Sequence, residues 1–117
     1  MADADFRLPI IVTPPGYAIE VVAGYLTVST SVASDATDKI AFTLKKHTAA
    51  SDTATSVSSA INTATTALTA QLVYPFTINT DGTQLVAAGS IVELNIDESG
   101  TGPAAGLVSV TLWYLID

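Results

Sequence analysis

Val92-Glu93-Leu94-Asn95-Ile96-Asp97 is the stretch that decides the fold, because Val92, Leu94 and Ile96 alternate strictly with Glu93, Asn95 and Asp97. Successive side chains of a strand point to opposite faces, so this segment lays an apolar row on one side and a polar row on the other. It is the cleanest half-buried strand of the chain, and the same period recurs outward from it. On the C-terminal side, Ser99-Gly100-Thr101-Gly102-Pro103 is a loop by composition. Beyond it Val108, Val110, Leu112, Tyr114 and Ile116 share one face, and Ser109, Thr111, Trp113 and Leu115 the other. On the N-terminal side, beyond a turn at Gly89, Tyr74, Phe76 and Ile78 alternate with Pro75 and Thr77. Asn79-Thr80-Asp81-Gly82 then reads as a hairpin-type turn.

Further upstream, Ile40, Phe42 and Leu44 alternate with Ala41, Thr43 and Lys45. Between residues 19 and 30, Val22, Leu26 and Val28 form an apolar face on which Gly24 marks a bulge or a close backbone approach. At the start, Phe6, Leu8, Ile10 and Val12 alternate with Arg7, Pro9, Ile11 and Thr13, ahead of a break at Pro14-Pro15-Gly16. Pro9 has no N–H for a ladder, so residues 1–13 read as an extended N-terminal arm or an edge strand. Residues 14–117 then make a single β-sandwich domain.

Residues 53–71 carry two readings. Ala54, Val57, Ile61, Ala64 and Leu68 follow the helical spacing, with Asp52 as an N-cap. The positions between them are mostly Thr and Ser, which compete for backbone hydrogen bonds. A short amphipathic helix lying on the sandwich is preferred, and a Thr-rich excursion between strands is the alternative. Short strands, Gly and Pro turns and at most that one helix predict an all-β fold, an antiparallel β-sandwich or jelly roll.

Composition bounds the function. The 117 residues are one domain's worth of chain and include no Cys, so stability rests on packing and thiolate metal sites are excluded. Only 13% of residues are charged, against about a quarter in an ordinary soluble domain. Thr, Ser, Ala and Gly must therefore build much of the surface, which suits Thr-rich strand faces and a body packed against neighbours. The net charge is −7 with four Lys and Arg, and Lys45-Lys46 is the one basic pair. Nucleic acid needs clustered cations to displace its counterions, so that partner is not expected. An anionic membrane surface repels such a chain as well. The start, Met1-Ala2-Asp3-Ala4-Asp5, is acidic where an export signal is basic, and no run reaches the ~20 apolar residues of a spanning helix.

No motif carries catalysis. His47 is the single His and stands at a strand end after Lys45-Lys46, with no triad pattern around it. Gly89-Ser90 lacks the flanks of a nucleophile elbow, and Gly100-Thr101-Gly102-Pro103 lacks a phosphate-binding Lys. Glu20 and Glu93 can be nominated as a paired-carboxylate hydrolase site, but a solvated sheet face accounts for both. Asp35 with Asp38, and Asp97 with Glu98, offer hard oxygen ligands to calcium without EF-hand spacing; solvated turns are the plainer reading. The expectation is a non-enzyme with no cofactor. Two groups favour protein contact instead. Tyr25, Trp113 and Leu115 lie opposite the main apolar stripes, as an interface or a second core layer. Phe6, Leu8, Pro9 and Ile10 form a segment able to join a neighbour's sheet edge or to be the first strand of its own sheet.

Pro14-Pro15-Gly16-Tyr17-Ala18, a following strand, the Thr/Ser/Ala-rich middle, and Leu85-Val86-Ala87-Ala88-Gly89-Ser90-Ile91-Val92-Glu93-Leu94-Asn95-Ile96 form a recognisable layout. With Gly100-Thr101-Gly102-Pro103 and Val108-Ser109-Val110-Thr111-Leu112, it resembles the small jelly-roll decoration, or cement, proteins of tailed bacteriophage capsids. The likeness spans most of the chain and rests on layout and composition. It implies a structural protein, made in the host bacterial cytoplasm and bound as a homotrimer to the major capsid protein on the outer surface of the virion. It carries over no functional residue. The alternative is a fibre or appendage module that binds host-surface carbohydrate by stacking Trp113 and Tyr25 on sugar rings.

Overall fold

The computed structural model describes residues 5–100 and 105–116. The described chain is all-β with no helix, in nine strands: β1 Asp5–Val12, β2 Ile19–Val28, β3 Lys39–His47, β4 Thr55–Ser56, β5 Ile61–Asn62, β6 Tyr74–Pro75, β7 Leu85–Val86, β8 Ile91–Ser99 and β9 Val108–Ile116. One sheet runs β1-β8-β3, with β4 and β5 both pairing the free side of β3. The second runs β9-β2, with β6 and β7 both pairing the free side of β2. Every pairing is antiparallel. The two sheets face each other across a core of Leu26 and Val28 from β2, Ile40, Phe42 and Leu44 from β3, and Leu94 from β8. This is the β-sandwich that the alternation predicts.

β3 and β8 obey their period. On β3 Ile40, Phe42 and Leu44 are buried, and on β8 Val92 and Leu94 are buried. β2 departs from the expected face. Ile19 and Val21 point into the core, the register slips between Val21 and Ala23, and Gly24, Leu26 and Val28 point inward again. The bulge turns Val22 outward, where it is 45% exposed, so Val22 leaves the apolar face assigned to it. Gly24 serves the close approach: a Cβ there would stand 2.8 Å from the Leu44 Cδ1 atom and 3.3 Å from the Phe76 Cδ2 atom.

The preferred helix over residues 53–71 is overturned. β4 and β5 are two pieces of one interrupted strand that runs antiparallel along β3. Hydroxyls extend the pairing: inside the interruption the buried Ser58 Oγ accepts the Leu44 N–H at 3.1 Å, and just past β5 the buried Thr63 Oγ1 accepts the Ile40 N–H at 2.9 Å. Side-chain hydroxyls thus complete a ladder where the backbone has stepped away. Val57 and Leu68 of the apparent helical stripe are buried, as core contributions from an extended chain.

β6 and β7 are likewise one interrupted strand along β2, so Asn79-Thr80-Asp81-Gly82 does not close a hairpin between partners. It belongs to an excursion in which Ile78 bridges Ser58, with Ser59 N–H bonded to Thr77 O and Asn79 N–H to Val57 O. These bonds tie the two sheets together on one side of the sandwich. The edges β1 and β9 are left on the other side.

Candidate interaction surface

The bulge in β2 and the register of β9 build one outer face on the second sheet. Glu20 stands opposite Leu115, Ala23 opposite Trp113 and Tyr25 opposite Thr111. The sequence-predicted residues Tyr25, Trp113 and Leu115 therefore share a face, with Tyr25 diagonal to Trp113. Trp113 is 61% exposed and Leu115 58%, while Tyr25 is half-buried. Neither Trp113 nor Leu115 is covered by the middle segment, so among the described residues they form no second core layer. Val22 and Leu85 join them, both exposed, Leu85 through its pairing opposite Glu20. Sequence reasoning missed these two. The signal for Val22 was Gly24 two positions on, which marks a strand whose parity does not continue. Leu85 had no signal, because its place depends on the interrupted strand.

Phe6, Leu8, Pro9 and Ile10 do not join this face. They lie on β1, which pairs along β8 of its own sheet, with Phe6 opposite Ile96 and Leu8 opposite Leu94. The arm is thus an edge strand of the chain's own sandwich. Ile10 packs against the core, Phe6 is half-buried, and Leu8 and Pro9 are exposed. A second slip in register falls between Pro9 and Ile11.

The opposite outer face, on the first sheet, holds the charged cluster. Glu93 is only 2% exposed there, and Arg7 clasps it with Nε at 2.8 Å from Oε2 and Nη2 at 2.7 Å from Oε1. This two-point geometry matches guanidinium to carboxylate. The His47 Nε2 atom lies 3.9 Å from the Glu93 Oε1 atom. His47 Nδ1 faces two carbonyl oxygens, Thr48 O at 2.9 Å and Ser51 O at 3.1 Å, so that nitrogen carries the proton and donates. Glu93 is therefore not the solvated group expected on a wet sheet face. The Arg7 hydrogen bonds hold its carboxyl below the ordinary carboxylate range, against the opposing effect of burial. A general acid needs the contrary shift. Glu20 lies on the outer face of the other sheet, so the sandwich separates the two nominated carboxylates.

The acidic loops are also resolved into separate roles. The Asp35 carboxylate accepts the Thr37 N–H at 2.7 Å and the Asp38 N–H at 2.9 Å, which shapes its turn and lowers its pKa. Asp97 and Glu98 are neighbours on β8 and project to opposite faces, Asp97 outward and Glu98 into the buried side. Among the described residues no group of three or more His, Asp or Glu is placed to hold a metal ion. Beside the apolar face, Glu20, Asn79 and Gln84 rim a shallow depression along β2, between β6 and β7, floored by Gly24 and Phe76. Comparison with protein-family models, with curated proteins and with solved structures finds no match to this chain.

Proposed function

We propose that this chain is a non-enzymatic capsid decoration protein of a tailed bacteriophage, which binds the major capsid protein on the outer surface of the shell. The observation that carries the reading is the outer face of the second sheet, where Trp113, Leu115, Val22 and Leu85 stand exposed among Thr and Ser. Aromatic and aliphatic side chains grouped on a face whose strands carry only one charged residue, Glu20, favour protein contact, and a rigid sheet presents them at little cost in entropy. The jelly-roll layout read from the sequence supplies the class of partner. An acidic chain suits the outside of a shell, away from the genome. Repetition of the same contact over a lattice raises avidity with no single strong site.

Binding to expanded, undecorated capsid shells tests this by co-sedimentation. The wild-type protein is expected to saturate the shells. Val22→Asp and Leu85→Asp place charges on the face but off the β9 edge, and each is expected to weaken binding by about tenfold or more. Absence of the protein from purified virions by mass spectrometry, or shell binding indifferent to both variants, removes the reading.

A second reading has its own observation. Tyr25 and Trp113 lie together on one face beside the polar rim of Glu20, Asn79 and Gln84, an arrangement suited to stacking on a sugar ring while hydrogen-bonding its hydroxyls. A glycan array with hits that Trp113→Ala abolishes favours this appendage module over the capsid protein.

A further inference from the structure

The two open edges of the sandwich differ in how they are guarded. β1 carries Arg7 and Pro9, and Pro9 presents no N–H. Charge and proline are the usual devices that keep a sheet edge from recruiting another strand. β9 has neither. Its nine residues, Val108-Ser109-Val110-Thr111-Leu112-Trp113-Tyr114-Leu115-Ile116, include no charge, no Pro and no Gly. Among the described residues it pairs only with β2. A long, uncharged, apolar edge of this kind is a template for another strand.

We propose that β9 pairs antiparallel with β9 of a second copy of this chain, about a two-fold axis at Leu112, so that the two β9-bearing sheets become one continuous sheet. The strand is built to match itself in that direction. On its outer face the N-terminal half bears the small Ser109 and Thr111, and the C-terminal half bears the large, exposed Trp113 and Leu115. Antiparallel pairing centred on Leu112 sets Trp113 over Thr111 of the second copy and Leu115 over Ser109 of the second copy. On the inner face it sets the exposed Tyr114 and Ile116 against the half-buried Val110 and Val108 of the second copy. Large thus meets small at every outer pair. Parallel pairing in register instead sets Trp113 on Trp113.

Charge selects the same contact. Each copy is acidic at −7, and a strand free of carboxylates lets two such chains meet without like-charge pairs across the seam. A two-fold contact also consumes both β9 edges and closes at two copies, whereas the family resemblance implies three. The axis stands perpendicular to the sheet, so both outer faces look the same way and the apolar surface doubles in width. The pairing stands without the capsid reading.

Light scattering of the full chain at micromolar concentrations, without shells, tests it. The expected mass is twice the 12.0 kDa of one chain. Thr111→Trp sets Trp against Trp, and Trp113→Thr sets Thr against Thr; each change acts twice by symmetry. Each is expected to raise the dimer Kd by about tenfold, given the usual worth of cross-strand pairs. The double variant Thr111→Trp with Trp113→Thr recreates the large-on-small pairs in reverse and is expected to restore the wild-type Kd. Both positions are exposed, and circular dichroism checks that the fold is kept. A monomer across the range, a mass of three chains, or a double variant no tighter than either single one overturns the proposal.

Discussion

Glu93 shows how a single position escapes a sequence reading. Its place on β8 follows from alternation, and alternation puts it on a wet face. Its burial follows from Arg7, a contact 86 residues away in the chain that no local pattern announces. The pair also sets a pH dependence. The Arg7 hydrogen bonds depress the folded-state pKa of Glu93 below its ordinary value of 4.5, so the unfolded chain takes up that proton first as pH falls. The stabilisation is therefore complete above about pH 4.5 and is lost as pH falls below it. Asp35 and Asp81 are depressed by turn hydrogen bonds and act with the same sign. The readout is accordingly a difference: urea unfolding from pH 7 to pH 3 is expected to show a steeper loss for the wild type than for Glu93→Gln. At pH 7 Glu93→Gln is expected to cost about 1.5–3 kcal/mol, the scale of a hydrogen bond to a charged group. Parallel pH profiles for the two proteins count against the account.

Among the elements, β3 and β8 were legible because each packs one face on the core, which imprints period two on the residues. The segment over residues 53–71 was not. Its apolar spacing is met equally by a helix and by a broken strand that dips into the core at Val57 and Leu68. What separates them is the use of hydroxyls as ladder partners, as Ser58 and Thr63 serve β3. That use needs β3 beside them, so it is a tertiary fact. Thr63→Val keeps the shape and β-branching but leaves the buried Ile40 N–H without its acceptor. A loss of about 1–3 kcal/mol is expected by chemical denaturation. Thr65→Val and Thr66→Val, at exposed turn positions, are expected to change stability by less than about 0.5 kcal/mol. Equal effects at all three sites contradict the ladder role. β2 is the intermediate case: Gly24 was visible as an irregularity, yet the slip sits at Val22, because the bulge is fixed by pairing with β9.

The whole molecule is a sandwich tied on one side by the Ser58–Ile78 bridge and open on the other at β1 and β9. β2, β3 and β8 are flanked by strands on both sides and hold most of the core. Their amides are expected to exchange slowest with deuterium, slower by about a hundredfold or more than those of the exposed loop at residues 48–53. The outward amides of β9 report the seam: their protection is expected to rise with protein concentration, while that of β3 stays constant. Concentration-independent exchange throughout β9 speaks against pairing between copies.

Alternation, turn residues and the absence of Cys were enough, by themselves, to determine an all-β sandwich packed without disulfides, and to place Tyr25, Trp113 and Leu115 off the main core stripes. Period and composition are local properties, written wherever one face meets a core. The tertiary structure alone decided that Val22 and Leu85 join that surface, that Arg7 buries Glu93, that the Thr-rich middle is two pieces of edge strand, and that β9 keeps an unguarded edge. Each of these depends on which strand lies beside which, and pairing between distant segments leaves no period in the chain to read.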